Sequence, residues 1–197
     1  MKPAGHHDPE LWNLLMDGDE EAYSGLFQKY YPVLISYGKS LTSRHVLVPD
    51  CVQEVFIEIW IYRKSLAVPS SVRAYLLSSI RKRIARRLER DHVFRNTREL
   101  ADLEFSASFT VLDEMITDEE TRSQVYQLNK LLNQLPGRQK EALYLRYHQE
   151  LDIDQIAELM QINPQSVSNL LHRAIKHLKM LTGEFPALLL LLSTFLS

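Results

Sequence analysis

Apolar residues recur at steps of three and four along two long stretches of the chain, 9–90 and 123–181. That spacing puts them on one face of a 3.6-residue helix and on neither face of a strand. Leu11, Leu14 and Leu15, then Tyr23, Leu26, Phe27, Tyr30 and Tyr31, predict two helices before about Ser40. Between them Gly18 suits a helix C-cap and Asp19 an N-cap, whose side chain accepts an orphan amide hydrogen bond. Val52, Val55, Phe56, Ile59 and Trp60 form the core stripe of a helix over 50–63. Period-two alternation is scarce, and 6 Gly and 8 Pro leave few turn formers. The fold class is therefore all-α. Hydrophobic residues at 45% and charged residues at 24% are the ordinary globular balance, far from the composition of a disordered chain.

The chain carries a net charge of −2, which conceals a segregation along its length. Residues 1–60 hold nine acids against four bases, 73–98 nine bases against two acids, and 99–122 eight acids against one base. Residues 164–181 then carry Arg173, Lys176 and Lys179 with no acid. Two basic surfaces either side of an acidic spacer suit a polyanion held at two points; solvated helix faces are the plainer reading. The helix over 72–90 sets Tyr75, Leu76, Ser79, Ile80, Arg83, Ile84, Arg87 and Leu88 along one side, with Arg73, Arg81, Lys82, Arg86 and Arg90 over much of the rest. Residues 91–121 lose the period, apart from a short helix expected around 112–116, and read as a linker.

After Ser123 the period returns. Val125, Leu128, Leu131, Leu132 and Leu135 lead to Pro136-Gly137, and three helices follow, over Arg138–Tyr147, Ile153–Met160 and Pro164–Leu181. Only Gln161-Ile162-Asn163 separates the last two. Asn163 as N-cap before Pro164 at the first helical position is a helix-turn-helix signal, although an ordinary helical hairpin uses the same turn. If the last helix enters a major groove, Gln165, Ser166, Ser168 and Asn169 face base edges, while His172, Arg173 and Lys176 reach bases or phosphates.

On α-helical spacing Glu54, Ile57, Glu58 and Ile61 share a face, so two isoleucines stand among carboxylates. A partner helix fits that face better than water does; burial on both sides is the alternative. No glycine-rich phosphate loop, metal-spaced His/Cys/Asp set or nucleophile elbow is found, so no catalytic residue, metal, cofactor or small-molecule substrate is expected. A single cysteine, Cys51, and a first segment without an apolar run predict a reducing, cytoplasmic setting.

These segments together resemble the sigma-70 family of RNA polymerase sigma factors, in its extracytoplasmic-function group. GDEEAYSGLFQKYYPVL (18–34) is similar to the start of region 2, DCVQEVFIEIW (50–60) to its polymerase-binding helix, RAYLLSSIRKRIARRL (73–88) to the helix that reads and helps open the minus-10 element, and residues 135–179 to region 4, the minus-35 reader. The resemblance implies two small helical domains, 9–92 and 123–182, joined by an acidic linker over 93–122, with an apolar tail at 183–197 to which it assigns no task. It implies a non-enzymatic subunit that binds core polymerase, at the largest-subunit coiled coil and the flap, and directs it to promoter DNA under an anti-sigma factor. Asp50, Gln53, Glu54, Ile57, Glu58 and Ile61 take the polymerase-contact positions. Arg73, Tyr75, Arg81, Lys82, Arg86 and Arg87 take the minus-10 positions, beside a loop, Leu66–Ser71, that resembles the one capturing an unstacked base. Gln165, Ser166, Ser168, Asn169, His172, Arg173 and Lys176 take the minus-35 positions. Gln155 stands where an acid is usual. A stand-alone helix-turn-helix regulator is the rival reading, but a sensor domain has no need of nine cations over 73–98. As a helix the tail would span about 18 Å, short of a hydrocarbon core of roughly 30 Å.

Overall fold

The computed structural model describes residues 8–95, 105 and 129–182, with the side chains of 91–95 and 181–182 left aside. The expected short helix at 112–116, Val125, Leu128 and the tail at 183–197 lie outside the described residues. Two compact units divide between 103 and 104. All regular structure among the described residues is helical, and no described helix is long and apolar enough to cross a membrane.

The N-terminal unit packs α1 (Asp8–Asp17), α2 (Glu20–Leu41), α3 (Val48–Tyr62) and α4 (Val72–Arg95). The predicted punctuation between α1 and α2 is present. Gly18 adopts φ +97, its amide donating to Leu15 O at 2.9 Å, and Asp19 Oδ1 caps α2 by accepting from the Ala22 amide at 2.8 Å. Leu15, Leu26, Leu34, Val52, Phe56, Leu77, Ile80 and Ile84 are buried together as the core. Trp12 closes it on one side, its ring edge-on to Tyr75 with centroids 5.2 Å apart.

Helices α2 and α3 approach closely where Gly38 offers no side chain. A Cβ there would lie 2.5 Å from Val48 Cγ1, a stiff, fully buried methyl. Gly38→Ala is therefore expected to destabilise the unit by about 1–3 kcal/mol, despite alanine's better helix propensity. A thermal melt followed by tryptophan fluorescence checks this, since Trp12 and Trp60 both belong to this unit.

The C-terminal unit contains a helical turn over 129–133, α5 (Gly137–Leu143), α6 (Ile153–Met160) and α7 (Pro164–Thr182). The expected helix over Arg138–Tyr147 needs correction. From Tyr144 to His148 the backbone widens into a π turn, with the Gln149 amide bonded to Tyr144 O at 3.1 Å. Side chains hold this form: Gln149 Nε2 donates to the Tyr144 hydroxyl at 3.0 Å, and Arg146 Nη1 donates to Leu151 O at 2.9 Å. Phe105, within the segment read as linker, is buried in this unit. Its ring centroid lies 5.5 Å from that of Tyr144, and its backbone nitrogen lies 3.3 Å from where a Cβ on Gly137 would stand.

Candidate nucleic-acid interface

In the N-terminal unit α3, the loop after it and α4 enclose a cavity of about 410 Å³. Tyr62 and Ser65 stand at the end of α3 and the turn following it; Tyr75, Ser79, Lys82 and Arg86 come from α4. Leu66, at the start of the predicted loop, contributes to the wall, and the hydroxyl of Ser71 caps α4 by accepting from the Ala74 amide at 3.2 Å. Across the junction Arg83 pairs with Glu58 and, at 3.4 Å, with Glu54, while Arg87 Nη1 donates to Glu54 Oε1 at 3.4 Å. Hydrogen bonding to Glu58 raises the pKa of the Arg83 guanidinium above its ordinary value. Burial raises the Tyr75 phenol, aided by the Glu58 charge, which keeps it neutral and stackable.

The expected minus-10 set divides. Lys82 and Arg86 are exposed at the cavity, Arg81 is half-buried, and Arg87 leans on Glu54. Arg73 sits at the first turn of α4 beside a cluster in which Asp8 accepts from both Lys29 and Tyr30. Burial pushes the Asp8 carboxyl up, but hydrogen bonds from Lys29 and Tyr30 and the charges of Lys29 and Arg73 outweigh it and hold the pKa low. Burial and Asp8 raise the Tyr30 phenol.

The expected polymerase set divides as well. Asp50, Gln53, Ile57 and Ile61 form an open ridge on α3, with Ile57 52% and Ile61 60% exposed. Glu54 and Glu58 lie on the flank facing α4. Behind the ridge an aromatic ladder ties α3 to α2: Phe27 on Phe56 at 5.0 Å, Tyr23 on Phe56 at 6.1 Å and Tyr23 on Trp60 at 5.1 Å. Arg63 covers the Trp60 ring 4.2 Å from its centroid, so Trp60 is half-buried rather than core. The Glu58–Arg83 pairing escaped the sequence reading. Its signal was Arg83 itself, a cation on an apolar stripe, where a charge requires a partner.

In the C-terminal unit the predicted turn is built from caps. Asp152 and Gln155 form a reciprocal capping box at the start of α6, at 2.8 and 3.1 Å, so a neutral Gln155 serves where an acid is usual. Gln161 ends α6 in the left-handed region at φ 56, and Asn163 Oδ1 accepts from the Ser166 amide at 2.7 Å to begin α7. Val167, Leu171, Ala174 and Leu178 are then buried against the unit. The opposite face presents Gln165, Asn169, His172, Arg173 and Lys176 as exposed residues. Gln165 Nε2 bonds Asn169 Oδ1 at 3.3 Å. Ser166 and Ser168 are half-buried, and the Ser168 hydroxyl donates to Pro164 O at 3.2 Å. An acid-free row of amides, cations and imidazole on one helix face is the chemistry that reads a major groove.

A four-helix unit with a cation-rimmed cavity is followed along the chain by a helix-turn-helix unit. Family models match in the same order, Sigma-70 region 2 over residues 26–93 and Sigma-70 region 4 over residues 126–178, together more than half of the chain, and the chain belongs to the sigma-70 family. With these two regions it is a sigma factor of the extracytoplasmic-function group and directs transcription. A search of curated proteins by sequence finds no match. Among solved structures, CnrH in complex with the cytosolic domain of CnrY covers 90% of this chain and 98% of its own, with a TM-score of 0.56 at 17% identity. The sigma factor RpoE, in complex with the anti-sigma factor NepR from Bartonella quintana, covers 82% and 96%, with a TM-score of 0.55 at 18% identity. At such identities the likeness is one of fold.

Proposed function

We propose that this sigma factor is a non-enzymatic subunit that docks core RNA polymerase on the α3 ridge, reads the minus-35 element with α7, and captures an unstacked base of the melted minus-10 element in the α3–α4 cavity. The observation that carries the reading is the cavity: tyrosines, an ion pair and two exposed cations converge beside the loop that the family resemblance associates with base capture. Unstacking a base costs a few kcal/mol, which stacking on aromatic rings at about 1–3 kcal/mol per base can offset. Lys82 and Arg86 then hold the flanking phosphates. An anti-sigma factor is a further partner under this reading, since the RpoE structure contains one and the exposed Ile57 and Ile61 need cover when polymerase is absent.

The division of labour is testable by separating duplex from melted DNA. Arg173→Ala is expected to weaken binding to duplex upstream DNA by about 1–3 kcal/mol and leave pre-melted templates unaffected. Lys82→Ala with Arg86→Ala is expected to slow promoter opening, read by permanganate footprinting, and to lower the salt dependence of single-strand binding by about two phosphate contacts. Identical defects in both variants on both templates would refute the assignment.

A further inference from the structure

The ring of Tyr75 enters the wall of the α3–α4 cavity from the first turn of α4, and its direction decides what surface the cavity offers. The backbone of this residue is fixed, its amide donating to Ser71 O at 3.0 Å and its carbonyl accepting from the Ser79 hydroxyl at 2.8 Å. A tyrosine on a helix still chooses between two χ1 wells. Behind the ring, away from the cavity lining, stands Trp12 of α1, with ring centroids 5.2 Å apart and planes inclined at 73°.

Trp12 is in turn held by the position of α1. Asp8 pins the start of that helix by accepting from Lys29 and Tyr30 of α2, and the Gly18 and Asp19 amides close its end by donating to Leu15 O and Leu14 O. Asp8 and Trp12 lie about one turn apart, so the first pin acts beside the indole. The indole is 1% exposed, and its buried Nε1–H has no hydrogen-bond partner among the described residues. An unpaired buried donor is costly, and a phenylalanine would occupy the core without one. What the indole adds is reach to Tyr75, in the edge-to-face arrangement that aromatic pairs favour. A ring already in place spares a bound strand the cost of ordering it.

We infer that Trp12, which lies outside the DNA-contacting set, is a positioning residue of this sigma factor that holds the Tyr75 ring ready in the cavity wall before melted DNA arrives. The inference rests on the base-capture reading above and goes beyond it, to the residue that prepares the cavity.

A double-mutant cycle on the full chain tests it, with affinity for a labelled single-stranded DNA pool of randomised sequence as the readout. Trp12→Phe is expected to weaken that binding by about two- to tenfold, the range for ordering one side chain, and to leave binding to duplex upstream DNA unchanged. The orphaned donor leaves with the indole and offsets the lost ring volume, so the circular dichroism melt is expected to hold within about 5 °C. Tyr75→Ala is expected to weaken single-strand binding at least as much. Adding Trp12→Phe to Tyr75→Ala should then change nothing further, because no ring remains to be positioned. Wild-type binding by Trp12→Phe would overturn the role. The same fold-loss with and without Tyr75 would overturn it too, whatever the melting temperature, by showing that Trp12 acts through the fold. Wild-type binding by Tyr75→Ala would strike the base-capture reading itself, and the role of Trp12 would fall with it.

Discussion

Replacing Phe105 by alanine is expected to lower the stability of the C-terminal unit by about 3 kcal/mol or more, the cost of truncating a buried phenylalanine. The ring is 1% exposed, lies against Tyr144 and crosses the start of α5, where Gly137 leaves room for its backbone. At roughly 0.05–0.15 kcal/mol per residue a unit of this size has only a few kcal/mol in total, so the variant should melt well below the wild type. Trp12 and Trp60 both lie in the other unit. The expected signature is therefore a lowered transition in circular dichroism with an unchanged transition in tryptophan fluorescence. An unchanged dichroism melt would show that Phe105 is not part of this core. Tyr144 is also held by Gln149 and stacks with His148, 4.8 Å between centroids, so loss of Phe105 should loosen the π turn as well.

Ile57→Asp with Ile61→Asp is expected to reduce the affinity for core polymerase at least thirtyfold, because truncation of a well-packed interface anchor costs about 2 kcal/mol or more and each new carboxylate must also be desolvated. The fold should not change, since side chains 52% and 60% exposed contribute little to the unit's own core. Capture of the full chain on immobilised core polymerase, with thermal melting as the control, measures both quantities. Lys82→Ala with Arg86→Ala should be captured as well as the wild type, because those cations lie at the cavity and not on the ridge. Equal capture of the isoleucine variant would remove the ridge from the polymerase interface. Asp50 and Gln53 share the exposed ridge, whereas Glu54 and Glu58 are held by Arg83 and Arg87 and are less free to meet a partner.

Most of the helices, the caps at Gly18, Asp19 and Asn163, and the helix-turn-helix were legible in the sequence because each is decided within a few residues. Gly18 and Asp19 punctuate α1 and α2 through bonds to residues three to five positions away, and Asn163 starts α7 by the same short reach. The polar row on α7 follows from 3.6-residue geometry once the buried row is known. Three features depended on the tertiary structure. Phe105 lies in an acidic stretch that reads as linker, and it counts as core because Tyr144 and Gly137 come to meet it. The π turn requires Arg146 and Gln149 to hold their partners, a choice that an apolar pattern compatible with plain α-helix does not encode. Glu58 and Glu54 share a face with the isoleucines on a helical wheel, yet packing of α3 on α4 turns them toward Arg83 and Arg87. Local sequence sets which face of a helix is apolar, because periodicity and capping act over one or two turns. Which charges on its border meet a partner and which meet water depends on the rotation of one helix against another, and that is decided only when the distant parts of the chain pack.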